Sequence, residues 1–380
     1  MMPELEKVIS AAKPDTITLH PITRAEMETA QLTPRVIVPN LLFGDVRTRV
    51  AAGGVSKTTM AIYEAVMGAL GRPLWGNTPP RPIKTVFITK EDSRPIMVAR
   101  LREVIKAQNL TEAETAMVIG RIAIVDLSGE NFRLARVKHD VVEPDRQNIG
   151  RLLDALEAFE PDWIVFDPLV SFGVGEARVN DSEQALIEAM RIIRNQMECC
   201  VEAIHHVGKA NARDKATDQY AGRGGSALAD GSRMVCVLNR LNPDEWAKAT
   251  GSALPDGSLG ILMTLPKMTY CTPQADVYIV RTGFKFEQVQ PLIRSAEQEQ
   301  SAIVEQVFRY ITDQYQQGFR YSKKDLEAMT GEMNLKRQPV RNAVTKLIAS
   351  GRVGYCNEGK PTNHHLYPID SARFGEVAQK

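Results

Sequence analysis

A glycine-containing stretch between an apolar run and a helical pattern constrains this chain most. It reads AAGGVSKTTM at residues 51–60, directly after RTRV. The phosphate-loop template is G-x-x-x-x-G-K-[ST], whose backbone N–H groups cradle phosphates. Lys57 and Thr58 match its last two positions, whereas Ala51 and Ser56 stand where the template has glycine. Gly53 and Gly54 can still supply the unusual backbone angles such a loop needs. TTMAIYEAVMGAL then predicts a helix whose N-terminus offers free N–H groups and a positive dipole end to a triphosphate. The expectation is that Gly53, Gly54, Val55, Ser56, Lys57, Thr58 and Thr59 bind ATP. Lys57 would reach the outer phosphates, and Thr58 would ligate Mg²⁺. The competing reading is a plain turn ahead of a helix.

Downstream, short apolar runs alternate with helical patterns. TVFIT (85–89), WIVFD (163–167), VEAIHH (201–206) and MVCVLN (234–239) read as strands. Residues 181–197 carry a mixed helical apolar face through Ala185, Ile187, Ala189, Met190, Ile193 and Met197. Such alternation predicts an α/β fold with a mostly parallel sheet covered on both faces. ILMTL, MTYCTP and VYIV, within 256–284, read instead as three antiparallel strands at the sheet edge. Asp167 ends a buried strand, where a carboxylate can hold a metal opposite the phosphate loop. TVFIT runs into Lys90-Glu91-Asp92, and Glu91 there can orient or deprotonate water. His205 and His206 end another strand and point to opposite faces, so one of them is expected near the γ-phosphate. Arg223, between glycines in YAGRGGSALAD, suits a transition-state charge stabiliser.

Composition narrows the classes. With 47 Lys+Arg against 46 Asp+Glu and 43% hydrophobic residues, the chain is neither disordered nor a general polyanion coat. No apolar run reaches membrane length and no signal-peptide pattern opens the chain, so a cytoplasmic protein without a membrane partner is expected. Cys199, Cys200, Cys236, Cys271 and Cys356 form no CxxC pair, which argues against zinc and for packed thiols.

Taken in order, the phosphate loop, Glu91-Asp92, Asp167-Pro168, H-H-x-G-K and R-G-x-S-A-L resemble the RecA-like ATPases of the plasmid RepA type, the hexameric replicative helicases. The resemblance covers about residues 40–285. Arg100, nine residues after Glu91, fits the same pattern. It implies a ring of six subunits with ATP and Mg²⁺ between neighbours. Lys57, Thr58, Glu91, Arg100 and Asp167 would serve the nucleotide and Arg223 would act in trans. Ala51, Ser56 and Lys90 depart from that family's pattern. A likeness to ParA-type partition ATPases is weaker: their extra lysine is missing at Ala52 and their D-x-D-x-Q is replaced by TKEDS.

The expected organisation is an extension over 1–40, the ATPase domain over 41–285, a linker over 286–297 and a winged-helix-like domain over 298–380. The last reads as three helices and a hairpin. Ile303, Val307, Tyr310 and Ile311 share the first helix's apolar face, and Ser322 with Asp325 forms a capping box on the second. Nine Lys/Arg against four Asp/Glu between Arg320 and Lys360 make this stretch basic. Lys336, Arg337, Arg341, Arg352 and Lys360 are candidate DNA contacts, with docking to a replication protein as the alternative. Residues 171–183 and 207–222, the latter with Lys209, Arg213 and Lys215, are candidate channel loops. The leading expectation is an ATP-driven, ring-forming DNA helicase acting on single-stranded DNA. The alternative is a nucleotide-switched DNA-binding regulator or adaptor, a ParA-like or defence-associated ATPase included, and a third reading is a RecA-like recombination or defence ATPase.

Overall fold

The computed structural model describes residues 19–175, 179–208, 215–222, 226–292, 296–333, 335–357 and 364–369. It falls into two compact units, Met1–Pro291 and Leu292–Lys380.

A small hairpin, β1 (Val36–Val38) with β2 (Leu42–Phe43), leads into the first unit. Ile37, Val38, Leu41, Leu42 and Phe43 are all buried, so the end of the N-terminal stretch is already core. Strand β3 (Val46–Ala51) follows, and then the helix Lys57–Ala69. The later strands are β4 (Thr85–Thr89), β5 (Ile122–Asp126), β6 (Ala135–Lys138), β7 (Val141–Pro144), β8 (Trp163–Asp167), β9 (Cys200–His206) and β10 (Met234–Leu241). Antiparallel β11 (Leu259–Met268), β12 (Val277–Thr282) and β13 (Lys285–Val289) complete the sheet.

Nine of these strands form one sheet in the order β13-β12-β11-β10-β3-β9-β8-β4-β5. From β10 to β5 every pairing is parallel. Parallel strands need both faces covered. The helices Lys57–Ala69 and Arg94–Ala107 cover one face through Met60, Ile62, Val66, Met97, Leu101 and Val104. The helices Arg146–Glu157 and Val179–Met197 cover the other through Ile149, Leu152, Leu186, Met190 and Ile193. The α/β reading therefore holds.

The antiparallel edge differs in detail from the sequence reading. MTYCTP is not a strand of its own. Residues 259–268 run as one strand through Met268, and Tyr270–Pro273 belong to the connection. The third strand lies after VYIV instead, reached by a tight turn at Gly283, whose φ of +60° suits glycine. The β6–β7 hairpin was not foreseen.

One feature of the core is polar. Arg47 and Arg49 sit on the same face of β3 and are fully buried. Arg47 Nη1 donates to Glu202 Oε2 at 3.0 Å and Arg49 Nε to Glu202 Oε1 at 2.5 Å. Arg49 also pairs with Glu64 of the helix after the phosphate loop, and Trp75 Nε1 donates to Glu64 at 2.6 Å. Burial pushes the Glu202 carboxyl up, but Arg47 and Arg49 outweigh it and hold it below the usual range. The pairings bond β3, β9 and the Lys57–Ala69 helix into one body.

The second unit contains helices Ala296–Gln316, Lys323–Ala328, Thr330–Met333 and Arg337–Ala349. Antiparallel strands β14 (Val353–Asn357) and β15 (His364–Pro368) follow. Val307, Ile311, Leu326, Val340, Val344, Leu347 and Leu366 form its core. Ser322 caps its helix reciprocally with Asp325, as the sequence indicated.

Candidate nucleotide-binding site

The register of the sheet gathers the site. Ala51 pairs with His206, and Thr89 pairs with Asp167, so the tips of β3, β9, β8 and β4 come together at their carboxyl ends. Ligands of such sheets bind there. One strand, β9, separates the phosphate-loop strand from the acid-tipped strand.

The loop between β3 and the Lys57–Ala69 helix turns through Gly54 at φ +76° and Ser56 at φ +71°, ψ 25°. A Cβ built on Gly53 or Gly54 meets nothing within 4 Å, so the loop opens onto free space. Ser56 adopts the left-handed conformation that the template assigns to glycine. That costs a residue with a Cβ roughly 1–2 kcal/mol. Ser56 makes no side-chain cap bond to the helix. Instead, the Arg281 guanidinium donates to its hydroxyl.

Lys57 is buried, and its ammonium donates to the carbonyls of Ala51 and Ala52, each at 3.1 Å. His206 Nδ1 lies 3.4 Å from it. Burial lowers the Lys57 pKa, and Asp167 and Glu91 oppose that shift. Thr58 Oγ1 donates to Asp167 Oδ2 at 2.5 Å. Burial pushes Asp167 up to about 6; the Thr58 bond and Lys57 oppose it, while Glu91 and Asp92 add to it. Glu91 is exposed at the rim, its N–H bonded to Thr89 Oγ1.

Lys57, Thr58, Glu91, Asp167 and His206 are thus brought together. The two histidines divide as alternation requires. His206 faces Lys57, while His205 is buried on the other side of the sheet, against Gly222. Arg100 forms a two-point salt bridge with Asp92, so in this structure its guanidinium is engaged beside the site. Lys90 turns away, donating to the Phe132 carbonyl at 2.9 Å. Arg223, Lys209 and Arg213 lie outside the described residues. Lys215 pairs with Glu245, which engages the cation expected to line a channel. Arg281 was missed. It lies 225 positions from Ser56, and VYIVRTG carries no phosphate-binding pattern.

The donor set fits ATP and Mg²⁺. First-turn helix N–H groups lack intrahelical acceptors and suit phosphate oxygens. A hydroxyl and a carboxylate in contact are hard oxygen ligands, and Mg²⁺ is commonly held by one carboxylate plus substrate phosphates. Among the described residues no cluster of three or more His, Cys, Asp or Glu could hold a metal by itself. The described free cysteines are buried (Cys199, Cys200 and Cys236) or half-buried (Cys271).

The candidate DNA contacts occupy the second unit. Lys336 is exposed at the N-cap of the Arg337–Ala349 helix. Arg337 and Arg341 both pair with Glu327, and Arg352 pairs with Glu305 and stacks on Phe308 at 4.0 Å. Near carboxylates thus engage three of these candidate contacts, Arg337, Arg341 and Arg352. Lys360 lies outside the described residues.

A parallel sheet with one strand between the phosphate loop and the acid tip, and with Lys57, Thr58 and Asp167 meeting at the strand ends, defines a P-loop ATPase of RecA-like architecture. The AAA domain family matches residues 13–212, more than half the chain, and the protein belongs to that family. A KaiC-like protein from the hyperthermophilic archaeon Pyrococcus horikoshii OT3 is among the similar solved structures. It is 14% identical, with 67% of this chain and 94% of that chain covered and a TM-score of 0.41. Among the described residues no helix is long and apolar enough to cross a membrane.

Proposed function

We propose that this protein is an ATP-hydrolysing, ring-forming DNA translocase or helicase serving replication of a plasmid, phage or integrated element. The observation that carries the nucleotide chemistry is the meeting of Lys57, Thr58 and Asp167 with His206 at the strand tips. Thr58 and Asp167 would hold Mg²⁺, which when bound would supply positive charge to offset that of the phosphates. Around it, Lys57 exchanges its two carbonyl partners for phosphate oxygens. Glu91, at the rim of the site, would orient the attacking water. His206, beside Lys57, reports the state of the outer phosphate to β9 and to the segment after it.

The motor reading draws on the ordered motifs and on the Gly-flanked Arg223, assigned to a neighbouring subunit's site. The second unit, read as a winged helix, would bind DNA or a replication protein. A second reading, a nucleotide switch coupled to DNA binding, is favoured by one observation. Ser56 holds the glycine conformation only at a cost, which suits slow turnover.

The test is ATP hydrolysis with and without single-stranded DNA, at a concentration where the protein is oligomeric. Strand-stimulated turnover is expected for the motor. ATP binding without turnover in either condition would replace the motor with the switch. Arg223→Ala should bind ATP and lose hydrolysis; normal hydrolysis would remove the finger assignment.

A further inference from the structure

Arg281 stands on β12, in the antiparallel edge, beyond the residues that the family match covers. Its Nε donates to the Gly283 carbonyl at 2.7 Å, and one Nη donates to the Ser56 hydroxyl. The guanidinium carbon lies 5.7 Å from the Phe284 ring centroid and 5.6 Å from that of Phe286. These contacts fix the planar group in one orientation. Among the described residues no carboxylate lies within ion-pair distance of it, although the side chain is half-buried. Burial lowers its pKa, and the neighbouring Arg100, another cation, lowers it further.

A half-buried cation placed beside a second cation, with no anion of its own, is costly unless an anion visits. The anion-binding loop is the element it touches. Ser56 immediately precedes Lys57, so a guanidinium bonded to the Ser56 hydroxyl stands within one side chain's reach of the phosphates. We propose that Arg281 is a phosphate-binding residue supplied in cis from the sheet edge, which pairs with the nucleotide's phosphate groups and holds Ser56 in its left-handed conformation. The loop thereby recovers from Arg281 part of the anion affinity that a glycine-built cradle has without help. This inference rests on the ATP-binding reading of the same loop.

The test is titration of the full-length protein with ATP and Mg²⁺ by calorimetry at two salt concentrations, comparing wild type, Lys57→Ala, Arg281→Ala, Arg281→Gln and Ser56→Gly/Arg281→Ala. Loss of one charge-assisted phosphate contact should weaken ATP binding about tenfold to a hundredfold. Arg281→Gln can keep a hydrogen bond to Ser56 while losing the charge, so it should show a comparable loss and weaker salt dependence. It also keeps the test open if Arg281→Ala fails to fold by circular dichroism. The loss should persist in the Ser56→Gly background. Wild-type affinity in Arg281→Gln, alongside lost binding in Lys57→Ala, would overturn the phosphate role and leave the site intact. Recovery of wild-type affinity in the double variant would also overturn it, by reducing Arg281 to a prop for Ser56. If wild type and Lys57→Ala bind alike or not at all, the ATP reading itself falls, and this inference with it.

Discussion

Thr58 Oγ1 and Asp167 Oδ2 are 2.5 Å apart, joining the first turn of the phosphate-loop helix to the tip of β8. The hydroxyl donates, so the bond favours the ionised carboxylate, but burial outweighs it and Asp167 sits at about 6. Its folded pKa lies above the ordinary 3.8, so the folded chain binds the extra proton across that window. The resulting stability is fully present below about 3.8 and is lost as pH rises through about 6. At pH 7.5, with a chelator present, Asp167→Asn should raise Tm by a few degrees. At pH 3.5 the two proteins should melt together. An unchanged Tm at pH 7.5 would show that ionised Asp167 carries no cost. The same variant should lose Mg²⁺-dependent ATP turnover.

Lys57→Ala removes the cation that Ala51 and Ala52 hold through their carbonyls. Turnover should fall about a hundredfold or more. Tm should stay within a few degrees, because the bonds lost are two contacts to loop carbonyls and not apolar core packing. A large drop in Tm would mean that Lys57 is mainly structural.

Glu202 is the shared acceptor of Arg47 and Arg49 in the sheet core. Glu202→Ala leaves two buried guanidinium groups short of an anion, and breaking such a pair costs about 3–5 kcal/mol. Urea unfolding should show a midpoint lowered accordingly, with the slope unchanged. A loss below about 1 kcal/mol would mean that water enters to solvate the pair.

Glu327 is held at about 2, chiefly by its hydrogen bonds from Arg341, with further support from Arg337. Glu327→Gln frees both guanidinium groups on the helix proposed to face DNA. If that helix meets phosphates, affinity for DNA should rise, and the dependence on salt should steepen by up to about two counterions. Fluorescence anisotropy with single-stranded and duplex oligonucleotides at two salt concentrations reads both. Unchanged binding would point the second unit toward a protein partner.

The sequence made the phosphate loop, the acid-tipped strand and the parallel core legible because each is a local pattern: Gly53-Gly54 before Lys57, an apolar run ending in Asp167, and short continuous apolar runs such as TVFIT of β4, buried along their whole length. Residues joined only by the fold were not legible. Arg281 touches Ser56 because three antiparallel strands fold back beside the loop, and no spacing rule encodes that. Arg47 and Arg49 alternate with Thr48 like the wet face of a strand, yet Glu202 and Glu64, from distant segments, make that face dry. The boundary of MTYCTP failed for a related reason. β11 runs on through Met268, paired with β10, and Arg233 offers its carbonyl to both the N–H and the hydroxyl of Thr269 just beyond it; β-rich composition alone does not say where such pairing stops.

The buried quartet of Arg47, Arg49, Glu64 and Glu202 also limits how this protein can change over generations. Its formal charges cancel, so replacing any one member strands a charge in the core, and a neutral core at these positions is reached only by concerted replacement. Drift at the quartet should therefore occur in matched steps. A relative that carries an apolar residue at position 49 should also have lost the acid at 64 or at 202.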